Sequence, residues 1–188
     1  MIEKLIIDAD VCLNLGSSEK YRFLQLLIPR LSKKTYIHKC VYDEILAPAF
    51  VKDQLVELIN DGFLEIVDES ILSLEERTTY QAVYNSLANV MMNPRDPRKN
   101  HGEVSSLAMA KTISIPVFFT DERDLQPIID NILNTGLDDI ICIRIINVIE
   151  KIKTGDIVGI SRKQAKAMWA MSGKDKGVFD REVWPIIG

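Results

Sequence analysis

Residues 4–10 read KLIIDAD, a short and mainly apolar run that stops at two acids. This pattern predicts a buried strand with carboxylates at its end. A second β-rich run, IPVFF at 115–119, stops in the same way at TDERD (120–124). Ligands of parallel α/β sheets lie beyond the carboxyl ends of the strands, so these two strand ends are candidate site positions.

Further strand-like runs alternate with helical patterns along the chain, which predicts an α/β fold with a mainly parallel central sheet. The other strand-like runs are 35–38, 63–67 and 140–145. Helical spacing of apolar residues is found at 19–32, 41–46, 50–61, 73–91, 102–113, 123–134, 146–153 and 161–171.

Composition excludes several classes of protein. The chain has 188 residues, of which 47% are hydrophobic and 27% charged, which fits one globular domain. No apolar window is long enough for a membrane span, and the amino terminus has neither signal-peptide nor transit-peptide character. Three scattered cysteines argue against a disulfide framework and a structural zinc site. We therefore expect a reduced, cytoplasmic protein with no membrane partner.

Charge is distributed unevenly along a chain whose net charge is −4. Residues 151–188 contain eight basic and four acidic residues, whereas residues 1–150 contain 15 basic and 23 acidic ones. An acidic body with a basic tail is compatible with an anionic polymer as partner, because local patches matter more than net charge. The alternative is that the tail is an ordinary solvated helix surface.

Acids at two further positions lead to a chemical hypothesis. Glu44 and Glu103 each lie where a helix follows a loop, so four to six carboxylates can converge at one sheet edge. Two charges about 4 Å apart repel by roughly 4 kcal/mol at an effective dielectric of 20, so the cluster requires raised pKa values or a cation. Oxygen ligands suit Mg²⁺ or Mn²⁺, which clamp phosphates and activate water. Taken singly, each acid is more typical of a helix cap, a turn or a solvated surface.

The sequence resembles the PIN domain family of metal-dependent nucleases. The resemblance covers residues 3–145 and is carried by LIIDADVCLNL (5–15), VYDEIL (41–46), HGEVSSLAMAK (101–111) and VFFTDERDL (117–125). Two residues depart from the family pattern: Asp10 stands where Asn, Ser or Thr is usual, and Glu103 stands where many members have Asp.

The resemblance implies a three-layer α/β/α nuclease domain at 1–145, followed by a basic helical extension at 146–188 packed on or beside it. It implies Mg²⁺- or Mn²⁺-dependent hydrolysis of RNA. The matching catalytic residues are Asp8, Glu44, Glu103 and Asp121, and the metal ligands are Asp8, Glu103, Asp121 and Asp124. Many relatives are toxins of bacterial toxin–antitoxin pairs and many form dimers, so an antitoxin protein and a second copy are candidate partners.

Basic residues beside Glu103 are candidates for holding RNA phosphates. They are Arg95, Arg98, Lys99 and His101, which could equally belong to a solvated polar loop. In the basic tail, Lys163, Lys166 and Trp169 could extend an RNA path, although Trp169 also fits a packing role.

Two rival hypotheses remain. Asp8-Ala9-Asp10 also resembles the opening motif of haloacid-dehalogenase-like phosphatases, in which Asp8 would be the nucleophile and Asp10 the general acid, with Mg²⁺ held by Asp121 and Asp124. That interpretation leaves Glu44 and Glu103 without a role. The second rival is a non-catalytic binding module, which divalent metal would not stabilise.

Overall fold

A computed structural model describes residues 1–96 and 98–185 of the chain. Pro97, in the predicted basic loop, and residues 186–188, at the end of the predicted extension, lie outside the described residues.

The fold is built on a five-stranded parallel sheet, as the alternation of strands and helices predicts. Its strands are β1 (Ile2–Ile7), β2 (Ser32–His38), β3 (Leu64–Val67), β4 (Val117–Phe119) and β5 (Ile141–Ile143). Their order is β3-β2-β1-β4-β5, and every pairing is parallel. The direction of winding reverses between β1 and β4, which is where open α/β sheets form a ligand crevice.

Ten α-helices connect and flank the strands in the described residues. They are α1 (Ala9–Gly16), α2 (Phe23–Leu31), α3 (Lys39–Glu44), α4 (Ala49–Asn60), α5 (Leu74–Met91), α6 (His101–Thr112), α7 (Leu125–Ile132), α8 (Ile145–Thr154), α9 (Arg162–Met171) and α10 (Lys176–Val178). A 3-10 turn (Glu69–Ile71) precedes α5, and a π-helical turn (Phe179–Val183) follows α10. No helix in the described ranges has the length and apolar character that a membrane crossing requires.

Alternating side chains of the central strands bury themselves in two cores, one on each face of the sheet. Leu5 and Ile7 of β1 belong to the core that also contains α1, α2, α4, α8 and α9. Ile6 between them belongs to the opposite core, with α5, α6 and α7. The sheet is thus the middle layer of a three-layer α/β/α structure.

The carboxyl-terminal region packs into the first of these cores. Met168, Trp169 and Phe179 are buried in the same cluster as β1 and α1. The Trp169 indole also donates a hydrogen bond from Nε1 to the carbonyl of Asp175, at 2.7 Å. Trp169 therefore has the packing role, and residues 146–185 lie directly on the body formed by residues 1–145.

Candidate active site

A cavity of about 180 Å³ opens at the carboxyl ends of β1 and β4, where the sheet reverses its winding. Five carboxylate side chains line it, namely those of Asp8, Asp10, Glu44, Glu103 and Glu122. The remaining lining residues are Ala9, Arg98, Asn100, His101 and Gly102. The cavity thus collects acids from four separate parts of the chain.

Asp8 lies deepest in this group, because it stands between β1 and α1. Its backbone NH donates to the carbonyl of Phe119 at 3.0 Å, which continues the pairing of β1 with β4. One side-chain oxygen accepts from the Ala9 NH at 2.8 Å and caps α1. The other accepts from the Thr120 hydroxyl at 3.4 Å. The carboxyl group is therefore held by both strand ends.

Burial makes Asp8 a weak acid in the absence of a cation. It raises the pKa of Asp8 from 3.8 to about 8, and the nearby charge of Glu103 adds to the shift. The hydrogen bond from the Ala9 NH opposes the shift, but it is the smaller influence. A nearby cation would restore the ionised form.

Glu103 is the second strongly perturbed acid. It lies in the first turn of α6, and burial raises its pKa to about 7, with further contributions from the charges of Glu122, Asp10 and Glu44. Burial also raises the pKa of Glu44. Burial is thus the main influence that disfavours the ionised forms of Asp8, Glu44 and Glu103, although the amino termini of α1 and α6 supply favourable dipoles.

Gly102 allows α3 and α6 to approach closely at the cavity wall. A Cβ atom at this position would stand 3.1 Å from Oε2 of Glu44 and 3.0 Å from Cγ2 of Val41. The chain enters α6 through Asn100, which adopts a left-handed conformation (φ 63°) and donates from Nδ2 to the carbonyl of Met91 at 2.8 Å. The absence of a side chain at Gly102 therefore lets the Glu44 carboxylate lie against the start of α6.

The loop after β4 turns Glu122, rather than Asp121, toward the cavity. Thr120 is buried, and its hydroxyl oxygen accepts from the Glu122 NH at 3.2 Å while donating to Asp8. Asp121 instead forms an ion pair with Lys174, and the other Asp121 oxygen is buried with no hydrogen-bond partner among the described residues. Asp121, predicted from the sequence as a catalytic residue and metal ligand, is thus not among the cavity residues.

Asp124 lies in a neighbouring groove and not in the cavity. It stands just before α7, and that groove also contains Asp10, Asp121 and Glu122. The structure therefore brings together Asp8, Glu44 and Glu103 of the predicted site residues and adds Asp10 and Glu122 to them. Glu122 was present in the TDERD run, but nothing in the sequence distinguished it from its acidic neighbours.

Two of the four predicted phosphate-binding residues line the cavity, namely Arg98 and His101. Nδ1 of His101 lies 3.0 Å from the Tyr84 hydroxyl, and this contact fixes the orientation of the imidazole ring. Arg95 and Lys99 are exposed on the same loop but do not line the cavity.

The donor set fits a hard divalent cation. All five acidic side chains offer oxygen ligands, the kind that Mg²⁺ and Mn²⁺ prefer, and burial raises the pKa values of three of them, Asp8, Glu44 and Glu103. In the described ranges, no three His, Cys, Asp or Glu side chains stand close enough to hold a metal ion as they are placed. Coordination of one ion by three of these side chains would therefore require them to come closer together.

No protein family model, curated protein or solved structure matches the chain.

Proposed function

We propose that the protein is a Mg²⁺- or Mn²⁺-dependent nuclease of PIN domain type that hydrolyses phosphodiester bonds of RNA. The observation that carries this proposal is the convergence of Asp8, Glu44, Glu103 and Glu122 on one cavity. The cavity lies at the point where the strand order reverses. Its buried acid Asp8 and half-buried acid Glu103 form no ion pair with any residue that the structure describes. An RNA-cleaving toxin whose partner is an antitoxin is one biological setting for this activity.

In this proposal Asp8, Glu103 and Glu122 hold the cation, with Glu44 and Asp10 binding it directly or through water. When bound, the cation would supply Lewis acidity to a water molecule and to the phosphate oxygens of the substrate. It also stabilises the ionised forms of Asp8 and Glu103, whose pKa values burial has raised.

The protein groups at the cavity then have distinct tasks. Glu44, whose carboxylate lies against α6, is placed to accept a proton from the attacking water. Arg98 and His101 at the same cavity supply charge and hydrogen bonds to the phosphate, where negative charge grows in the transition state. Thr120 keeps the two acid-bearing strand ends in register through its bonds to Asp8 and Glu122.

The proposal is tested by incubating purified protein with a mixed single-stranded RNA in Mn²⁺ or in EDTA. We expect cleavage in Mn²⁺, none in EDTA, and a loss of at least about 100-fold in Asp8→Asn, the size of effect seen when a group stabilising the transition state is removed. Asp43→Asn is the matched control, because the Asp43 carboxylate pairs with Lys39 and does not line the cavity. Equal cleavage by wild type and Asp8→Asn would contradict the proposal.

The phosphatase alternative makes a different prediction in a parallel assay. An aspartyl phosphatase would hydrolyse p-nitrophenyl phosphate and would retain that activity in Glu103→Gln, since Glu103 has no role in its mechanism. The position of Glu44 and Glu103 at the cavity supports the nuclease, because the phosphatase scheme gives these two acids no role. The ion pair of Asp121 with Lys174 does not separate the two schemes, since Asp121 is a metal ligand in the sequence-based form of both.

A further inference from the structure

A second groove, of about 600 Å³, lies between the turn after α1 and the carboxyl-terminal helices. We refer to it as the lysine groove. Its basic lining consists of Lys163 and Lys166 on α9 and Lys176 on α10, and its opposite side includes Ser17, Ser18 and Tyr21. No acidic residue is among those that line it.

The lysine groove carries positive charge that the surrounding protein does not neutralise. Lys163 and Lys176 are exposed, and neither forms an ion pair with any residue that the structure describes. Lys166 pairs with Asp180, but Asp180 also pairs with Arg162, so this small cluster still has an excess of positive charge. On a chain whose net charge is −4, such a local patch marks a surface for an anion.

The lysine groove also contains an aromatic surface. Tyr21 is half-buried and stacks on Phe23, with ring centroids 5.0 Å apart and planes 10° from parallel. Phe23 is fully buried, so it fixes the Tyr21 ring in place. The ammonium of Lys20 lies 5.5 Å from the centre of the Tyr21 ring and adds another cation at this position. Aromatic rings combined with basic side chains are the surface on which single-stranded nucleic acid stacks.

The groove that contains Asp124 lies next to the carboxylate cavity and extends along α1 toward the lysine groove. The groove next to the cavity shares Asp10 and Glu122 with it and reaches Asn14 on α1 and Ser172 after α9. Met171, adjacent to Ser172, lines the lysine groove. The path follows α1, whose eight residues span roughly 12 Å at the standard helical rise.

We propose that the lysine groove binds the single-stranded RNA whose phosphodiester bond enters the carboxylate cavity. The inference rests on the proposed nuclease function and adds to it a place for the strand on either side of the cleaved bond. Lys163, Lys166 and Lys176 contact phosphates, and one base stacks on Tyr21. In this proposal the carboxyl-terminal extension is the part of the enzyme that binds the RNA strand.

Binding is measured without cleavage by fluorescence anisotropy, using a short fluorescein-labelled oligouridylate in EDTA at several KCl concentrations. For Lys163→Glu/Lys176→Glu we expect Kd to rise at least about tenfold, and the slope of log K against log salt to fall by roughly 1.4 as two phosphate contacts are lost. For Tyr21→Leu, which keeps an apolar side chain, we expect a rise of about fivefold or more.

The matched control is Lys4→Glu/Lys153→Glu, which makes the same charge change at exposed positions in β1 and α8 that form no ion pair with a described residue and lie outside the lysine groove. We expect it to bind nearly as well as wild type. An equal loss of affinity in both double variants would overturn the inference, as would competition by polyglutamate as effective as that by unlabelled RNA, which would make an acidic protein the occupant.

The outcome is independent of the nuclease proposal. Suppose that RNA binding depends on Lys163, Lys176 and Tyr21 but the protein does not cleave RNA in Mn²⁺. The lysine groove would then be an RNA-binding site, and the nuclease proposal would be rejected. Cleavage in Mn²⁺ with no effect of these substitutions on RNA binding would retain the nuclease and remove the lysine groove as its substrate site.

Discussion

At the scale of single residues, Asp8 combines a structural role with a chemical one. Its oxygens accept from the Ala9 NH and the Thr120 hydroxyl, so it helps join the ends of β1 and β4. The same burial that makes these bonds possible raises its pKa to about 8. An ionised Asp8 is therefore unfavourable in the metal-free fold and becomes favourable when a cation is bound.

The raised pKa of Asp8 predicts how the stability of the metal-free protein depends on pH. The folded state keeps a proton on Asp8 up to about pH 8, whereas the unfolded chain releases it near the ordinary value of 3.8. As pH rises between these values the unfolded state binds fewer protons than the folded state, so the free energy of unfolding falls. Asp8→Asn removes this dependence, because an amide does not titrate there.

We therefore expect Asp8→Asn to be more stable than wild type at pH 8 in EDTA, by about 1 kcal/mol or more, since one pKa unit corresponds to roughly 1.4 kcal/mol. Near pH 4 most of this advantage should be gone, since Asp8 is then protonated in the folded protein and only about half ionised in the unfolded chain, whose pKa is 3.8. Urea unfolding of both proteins at the two pH values measures the difference. If the difference in the free energy of unfolding between Asp8→Asn and wild type is the same at pH 4 and pH 8, the raised pKa is contradicted.

At the scale of elements, the segment between α9 and α10 is fastened to the loop after β4 by one partly buried ion pair. Lys174 and Asp121 have side chains that are 16% and 13% exposed. Lys174 also donates to the Ser172 hydroxyl at 3.0 Å and lies 5.4 Å from the centre of the Trp169 ring. The pair ties the carboxyl-terminal extension to the sheet edge that carries the cavity.

Breaking this pair from one side should cost stability, because the remaining charge stays desolvated. We expect Lys174→Met to destabilise the protein by roughly 2–4 kcal/mol. The double variant Lys174→Met/Asp121→Asn should be less destabilised than the sum of the single variants. Unfolding in denaturant measures all four proteins of the cycle, and additive effects would show that the two side chains do not interact.

Cleavage assays on single variants of Asp121 and Glu122 show which of these two acids belongs to the site. Because Asp121 faces Lys174 whereas Glu122 lines the cavity, Asp121→Asn should keep most metal-dependent cleavage and Glu122→Gln should lose most of it. The opposite result would return Asp121 to the metal site.

Most of the elements are predictable from apolar spacing, but two features are not. The segment 9–16, ADVCLNLG, forms α1, but it is short and follows directly on β1 and Asp8, so its helical pattern is hard to recognise in the sequence. In the TDERD run the sequence presents three acids in five residues, and only the hydrogen bonds of Thr120 and the distant Lys174 decide which one faces the cavity. Contacts between remote parts of a chain leave no local signal.

At the scale of the whole molecule, the acidic residues of the cavity and the basic residues of the lysine groove form two separate clusters. The acids converge where the strand order reverses, and the cations of the carboxyl-terminal helices lie beside them along α1. In the proposed function, this arrangement brings the carboxylate cavity and the lysine groove to neighbouring parts of the surface. The sequence predicts both charge groups, whereas their adjacency depends on the packing of α9 against α1 in the shared core.

The most direct test of this account is a calorimetric titration of Mn²⁺ into the metal-free protein, because it requires no knowledge of the RNA target. We predict saturable binding in wild type and in the control Asp43→Asn, and its loss in Asp8→Asn and in Glu103→Gln. Bound Mn²⁺ should also raise the free energy of unfolding by about 2.7 kcal/mol at a hundredfold excess over Kd. Binding that is absent in wild type, or that survives both cavity substitutions, would contradict the carboxylate metal site.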